Sequence, residues 1–393
     1  MTVTVRELTP DELADAWQLG RLAFGSDPQP APHATAPVPG LTRYGAFDER
    51  GLLVGKAADL HHDQWWDDRT VCAAGVGGVA VAPEARGRGV ARALLGGLLR
   101  GAHERGAAVS ALFPTVTAPY RAGGWDVTGV LRTVALPTAA LPRHRPAPQL
   151  TLRAGRPADL PAVTALYERV ARHRRGLLTR RGDLFGHSAD RLPFDGLTLV
   201  EDDGDLVGYA GWNRGRGYRH DAVLTVEDIA ASTDEAARAL IGALASWQSV
   251  TPTLRICPLP GDAVSAHLPL EAAREHERDL WMHRPVDVTR AVADRGWPTH
   301  LRGSVVFALH DDLADWNTGT WRLDVADGDA RLNRVATEPD LRLTVRGFAL
   351  LYCGATDARA AAEAGLLHLA AGADPRPLDL LAGGGAAHLH DYF

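Results

Sequence analysis

Cysteine, lysine and long apolar runs are scarce in this 393-residue chain. Its three cysteines, Cys72, Cys257 and Cys353, are odd in number, far apart and never spaced as Cys-x-x-Cys. That pattern supports neither a disulfide framework nor a cysteine metal site, so buried free thiols in a reducing compartment are expected. No apolar run is long enough to span a bilayer, and Met1-Thr2-Val3-Thr4-Val5-Arg6-Glu7 has no apolar signal core. A cytoplasmic protein with no membrane partner is the expectation. Lysine is scarce while arginine, alanine and glycine abound, a bias that fits a GC-rich genome better than a function. The net charge of −6 argues against a dedicated nucleic-acid partner. Two nucleotide signatures are missing as well: no Lys-Ser/Thr follows a glycine loop, and Gly-x-Gly-x-x-Gly does not occur.

What is present is an apolar content of 46 %, enough for sizeable cores, over a length that suggests two or three domains. The most informative stretch is Val79-Ala80-Val81-Ala82-Pro83-Glu84-Ala85-Arg86-Gly87-Arg88-Gly89-Val90-Ala91. Val79 and Val81 read as one face of a strand end, which Pro83 stops because it has no N–H to donate. Ala91, Leu94, Leu95, Leu98 and Ala102 then recur at helical spacing. A glycine turn entering a helix gathers backbone N–H groups at the positive end of the helix dipole, a place suited to a pyrophosphate.

Around this stretch the chain reads as alternating elements. A strand near Val3–Arg6 leads to a helix capped through Thr9-Pro10-Asp11-Glu12. Phe24 to Gly40 is a proline-rich loop, and Tyr44–Asp48 pairs with Leu52–Leu60. His61-His62-Asp63-Gln64-Trp65-Trp66-Asp67-Asp68 reads as a loop with incidental histidines, since neighbouring histidines on a strand face opposite ways; no metal is assigned. Val71–Val81, a helix to about Glu104, Ala107–Phe113, a short helix carrying Tyr120 and Trp125–Ala135 complete the first segment. Pro137–Pro148 has the composition of a linker.

Beyond it the pattern repeats. Arg6-x-x-x-Pro10-x-x-Leu13 returns as Arg153-x-x-x-Pro157-x-x-Leu160, and Gly51-Leu52-Leu53-Val54-Gly55 as Gly204-Asp205-Leu206-Val207-Gly208. Ala91-Arg92-Ala93-Leu94-Leu95 returns as Ala237-Arg238-Ala239-Leu240-Ile241. Three matches in one order, offset by roughly 150, point to a duplicated domain. The copy puts Ser232-Thr233-Asp234-Glu235 opposite Arg86-Gly87-Arg88-Gly89, so its acids would repel an anion and its Thr233 would cap a helix. Arg172-His173-Arg174-Arg175 with Arg180-Arg181 reads as a solvated helix face. From Pro285 a helix over Asp287–Arg295, four short strands (Gly303–His310, Gly319–Val325, Ala330–Val335, Asp340–Val345) and three helices (from Phe348, Asp357–Ala364, Pro375–Leu381) form an α+β module.

The string around Arg86, Gly89 and Ala91 resembles the pyrophosphate motif of GCN5-related N-acetyltransferases. With the degenerate copy, the segment Trp316-Asn317-x-Gly319-x-Trp321-Arg322-Leu323 and the terminal Phe393, the whole chain resembles the Eis (enhanced intracellular survival) family. The resemblance implies an α/β and α+β fold: a catalytic GNAT domain over 1–136, a degenerate GNAT-like domain over 149–284 and a sterol-carrier-protein-like domain over 285–393. It implies acetyl-CoA as cosubstrate, held by Val79, Ala80, Val81, Arg86, Gly87, Arg88, Gly89, Val90 and Ala91. Acetyl transfer to a small-molecule primary amine (aminoglycoside, polyamine or lysine) is implied, as is a homo-hexamer. Tyr120, in Tyr120-Arg121-Ala122-Gly123-Gly124-Trp125, carries over as general acid, and the α-carboxylate of Phe393 as base. A carboxylate that titrates near ~3.5 is a weak base for an ammonium, so Phe393 acts either by desolvation or as an anchor for the amine.

Two departures bear on the acceptor. Phe113-Pro114-Thr115-Val116-Thr117 is less polar than expected before Tyr120, and Tyr392 stands where an acid would help hold a polycation. Asp27, Asp391 and the acids Asp63, Asp67 and Asp68 are the remaining sources of negative charge. Trp65, Trp66 and Trp125 either line an apolar acceptor site or pack in a core. Two other readings stay open: a biosynthetic acyltransferase for one natural-product amine, and a non-catalytic lipid-binding protein.

Overall fold

A computed structural model describes residues 3–25, 27–31, 34–186 and 190–393, apart from the side chain of Arg219. Met1, Thr2 and, in the proline-rich loop, Ser26, Pro32 and His33 lie outside the described residues. The chain divides into two compact units. One is Met1–Gly129 with Arg175–Leu184 and Leu280–Phe393; the other is Val130–Arg174 with Phe185–Asp279.

In the first unit, Arg6 and Glu12 form a two-pronged ion pair (2.7 and 2.6 Å) that ties the strand Thr4–Glu7 to the helical turn Pro10–Glu12. Glu12 also accepts the Thr9 N–H, completing a capping box before the helix Leu13–Phe24. Strands Leu41–Phe47, Leu53–Trp66 and Arg69–Val81 follow as an antiparallel run. The last two are longer than the sequence suggested. His61 to Trp66, read as a loop, continue the strand, and the chain turns at Asp67 and Asp68 with φ of 50° and 64°. Two successive positive φ values are the geometry that right-handed strand twist favours in a two-residue hairpin. The helix Val90–Arg105 covers one face of this sheet, burying Val90, Leu94, Leu95, Leu98, Leu99 and Ala102 against Ala46, Ala57, Ala74 and Trp125.

Arg69–Val81 pairs in parallel with Val109–Leu112, but only from Ala73 opposite Val109 to Gly75 opposite Ala111. From Val76 onward that edge of the strand has lost its neighbour. Met282–Pro285 adds antiparallel to Val109–Leu112. The same unit holds a five-stranded sheet of Asp329–Arg334, Gly319–Ala326, Gly303–His310, Leu341–Thr344 and Leu367–Leu369 in that spatial order. Leu367–Leu369 was not expected, and Arg376–Leu380 is a tight 3-10 turn where a helix was expected.

The second unit repeats the element order of residues 4–112. Leu150–Ala154, the turn Pro157–Asp159 and the helix Leu160–Ala171 are followed by strands Gly196–Asp202, Asp205–Arg214 and Val223–Ala231. The helix Asp234–Ala245 then leads to Thr253–Ile256, parallel to Val223–Ala231 as Val109–Leu112 is to Arg69–Val81. Even the first ion pair recurs, Arg153 with Asp159 at 2.9 and 2.8 Å. Leu13 and Leu160 are both buried. The stretch 137–148 is less loose than its composition implied: Leu141 is buried, and Thr138 N–H donates to Pro252 C=O. All three cysteines are free thiols, but only Cys353 is buried; Cys72 and Cys257 are half-buried.

Candidate active site

The strand Arg69–Val81 carries a bulge. Its register with Leu53–Trp66 runs Ala58 to Gly77 and then Lys56 to Ala80, so Gly78 and Val79 oppose Ala57 alone. Gly78 takes φ 56°, a conformation that disfavours any side chain. Val79 and Val81 are half-buried against the core and Ala80 is buried, which fixes the strand end in place. A helical turn, Pro83–Ala85, lifts the chain off the sheet.

Arg86, Gly87, Arg88 and Gly89 are exposed. Gly87 and Gly89 have φ of 73° and 80°, and nothing lies within 4 Å of where a Cβ on either would stand. Their glycine character answers to backbone conformation, and the space in front of them is open. Val90 is buried and Ala91 half-buried, so the helix start is pinned. The first intrahelical bond here is Ala93 N–H to Gly89 C=O. The amides before Ala93 are thus the ordinary orphan donors of a helix N-terminus. Its first turn holds no acid and its N-cap makes no side-chain hydrogen bond. An anion fits such a place. Arg86 Nε donates to Val81 C=O at 3.3 Å, linking the turn back to the strand. A groove of about 550 Å³ starts at Gly89 and runs past Arg92, Gly96 and Arg100 along the helix, with Val5 and Leu313 opposite.

Tyr120 lies in the short helix Ala118–Ala122 and is half-buried. Its carbonyl accepts N–H bonds from Gly123 and Trp125 at 2.9 and 3.0 Å, and its ring meets Trp125 edge-on at 6.4 Å. Burial raises its phenol above the ordinary value, which keeps the proton on.

Phe393 is packed on the sheet. Its ring lies 4.8 Å from His62 and 5.5 Å, edge-on, from Phe113, and reaches within 2.9 Å of where a Cβ on Gly75 would stand. Gly75 is the last residue of the parallel pairing, so the chain end sits where the two strands part. Burial, then the charges of Arg105 and His61, lower His62 to about 4, leaving it a neutral imidazole near pH 7.

The tail is fastened along its length. Ala387 N–H donates to Cys353 C=O and His388 N–H to Arg175 C=O, both at 2.8 Å. Leu389 is buried, Asp391 pairs with Arg180 at 2.9 Å, and the exposed Tyr392 lies 4.5 Å from Phe113. Arg175 in turn holds Asp67 at 2.6 Å, and Arg181 stacks over Trp65 at 5.0 Å. Three of the arginines expected on a solvated helix face therefore anchor the C-terminal segment and its surroundings instead. The helix stops at Ala171, and Arg175–Leu178 is a strand beside Leu53–Trp66. Contacts across some 200 residues leave no local trace in the sequence. The tryptophans are core: Trp66 and Trp125 are fully buried and Trp65 nearly so.

Comparison with known proteins agrees with this geometry. Residues 4–128 match the acetyltransferase (GNAT) domain family and residues 288–389 the sterol carrier protein domain family. The chain is thus an acyltransferase of the N-acetyltransferase type, with a GNAT domain first and a sterol carrier protein domain last; GNAT domains use acetyl-CoA. Among its relatives is an uncharacterized N-acetyltransferase of Streptomyces coelicolor, 27 % identical over 324 residues that cover 79 % of this chain and 75 % of the relative. A GCN5-related N-acetyltransferase from Kribbella flavida superposes with a TM-score of 0.85 at 27 % identity, over 100 % of this chain and 98 % of that one. Eis1 from Mycobacterium abscessus shares the fold at a TM-score of 0.77 and 24 % identity, over 99 % of this chain and 100 % of that one. Among the described residues no helix is long and apolar enough to cross a membrane.

Proposed function

We propose that this chain acetylates a primary amine of a small molecule. Acetyl-CoA lies against Val79, Ala80 and Val81, with its pyrophosphate at Arg86, Gly87, Arg88, Gly89, Val90 and Ala91. The observation that carries the reading is Phe393 packed at Gly75, on the strand that leads into this cradle. The groove beside Arg92 and Arg100 is the place for the nucleotide end of the cofactor.

In this reading the incoming ammonium meets the Phe393 carboxylate, which takes its proton or anchors it while water does so. A backbone N–H on the unpaired edge beyond Gly75 polarises the thioester carbonyl. As the thiolate departs, the Tyr120 phenol gives it a proton. Two acids considered for a polycation, Asp67 and Asp391, are already neutralised by Arg175 and Arg180. That favours an acceptor with one or few amines over a heavily cationic aminoglycoside. Assembly into a hexamer, which the family resemblance implies, and a cytoplasmic location are part of the proposal.

The test is removal of Phe393, with thiol release followed over single amines, polyamines, lysine peptides and aminoglycosides. Turnover should fall by about a hundredfold or more while the acetyl-CoA-dependent rise in Tm is kept. Full turnover in the truncated chain would clear the carboxylate of any role.

A further inference from the structure

Lys56 is the only lysine in the chain; every other one of its 42 basic Lys and Arg residues is arginine. It lies on the strand Leu53–Trp66 directly opposite Ala80, beside the bulge at Gly78 and Val79. The side chain is half-buried between helix and sheet. Its Nζ is 2.7 Å from where a Cβ on Gly20 would stand and 3.4 Å from the same point on Gly78. Two glycines, one on the helix Leu13–Phe24 and one at the bulge, leave the space that the amine uses.

This amine has no hydrogen bond or ion pair among the described residues. The charge that acts on it is that of Arg43, another cation. A half-buried cation with no acid beside it is costly to keep charged. Burial first, and then the Arg43 charge, lower its hold on the proton. An arginine in the same place would stay charged and inert; a lysine can give up its proton and act as a nucleophile.

We propose that Lys56 is a self-acetylation site, its ε-amine taking the acetyl group from acetyl-CoA held along Val79–Val81. The neutral amine attacks the thioester carbonyl carbon, forming a C–N bond as the C–S bond breaks. CoA leaves as thiolate and collects the proton that the nitrogen sheds, so the products are CoA thiol and a neutral amide. The amide suits a half-buried position better than the ammonium did. It also removes a positive charge that would repel an incoming ammonium acceptor, so the modified chain is the form with the lower KM for such acceptors.

The inference rests on the cofactor reading above, and the experiment separates the two. The full chain is incubated with isotope-labelled acetyl-CoA, mapped by mass spectrometry, and measured in parallel for its CoA-dependent rise in Tm. One acetyl group is expected per chain, on the peptide that holds Lys56, stable to hydroxylamine and formed at a rate independent of protein concentration. Lys56→Arg should keep the Tm rise and lose the label. Replacing Arg86-Gly87-Arg88-Gly89 with Ser-Thr-Asp-Glu should lose both. A Tm rise with Lys56 unlabelled overturns the inference and leaves the cofactor reading standing. Labelling at an equal rate in the cradle replacement means solution chemistry and overturns it too, as does a rate that grows with protein concentration. Neither label nor Tm rise overturns both.

Discussion

Two helices of this chain start in corresponding places and solve the same physical problem in opposite ways. Val90–Arg105 begins at Gly89, with φ 80°, no side-chain cap and no acid in its first turn. Asp234–Ala245 begins at Thr233, whose hydroxyl accepts the Ala236 N–H at 3.1 Å. Asp234 adds negative charge at that helix start, and pairs with Arg238 at 2.9 Å and His267 at 2.6 Å. Every helix start has orphan N–H groups. The second helix satisfies one of them, the Ala236 N–H, from its own Thr233 side chain and puts acids beside the rest; the first leaves them open, with arginines and an unfilled approach. The difference shows that a helix start can serve its own stability or an anion, and that one set of amides cannot fully do both.

The comparison can be broken most directly by exchange. Giving the first helix the Ser-Thr-Asp-Glu start of the second should remove the acetyl-CoA-dependent Tm rise, with affinity down by about a hundredfold or more. A preserved rise would mean that the cofactor does not use these amides. Next in size is Tyr120→Phe, which should lower kcat by roughly a hundredfold, with cofactor affinity unchanged. Wild-type kcat in that variant would remove Tyr120 from the mechanism.

A third effect concerns the buried His283, whose imidazole burial, and then the Arg295 charge, lower from the ordinary 6.5 to about 3. Among the described residues, neither of its ring nitrogens has a hydrogen-bond partner. Its folded pKa lies below its unfolded one, so stability should fall as pH drops from 6.5 toward 3 and level off below that. His283→Phe should flatten this part of a Tm-against-pH curve, and an unchanged slope would count against a buried neutral imidazole. The smallest effect is Thr233→Ala. It should cost about 1 kcal/mol in denaturant unfolding while leaving acetyl transfer untouched. Lost activity there would give the second helix a role in catalysis that its capped start argues against.

Much of this was legible locally. The cap at Thr9, the strand end at Val79–Val81, the glycine turn and the duplicated Arg-x-x-x-Pro-x-x-Leu string each depend on residues a few positions apart. What escaped depends on distance. His61 to Trp66 looked like a loop because two histidines, two tryptophans and an acid obscure the alternation. The two-residue turn at Asp67-Asp68, with a β-branched run after it, was the available signal for a longer hairpin. Arg175 and Arg180 read as solvent-facing because the tail they hold comes some 200 residues later, and Arg181 because the Trp65 it stacks over lies more than 100 residues earlier.

By itself, the sequence determined a glycine-bearing helix start open to an anion and its absence from the second copy. Backbone φ, N–H supply and side-chain bulk at a helix start follow from the residues there, and Gly87 and Gly89 against Thr233 and Glu235 state them outright. It determined also that one amine-bearing side chain, Lys56, exists at all. Only the tertiary structure decided where Phe393 lies, which acids are already ion-paired, and that Lys56 stands beside the bulge without a hydrogen-bond or ion-pair partner among the described residues. Those are properties of burial and of pairs far apart in the chain, and desolvation acts on a group only once the rest of the fold has closed around it.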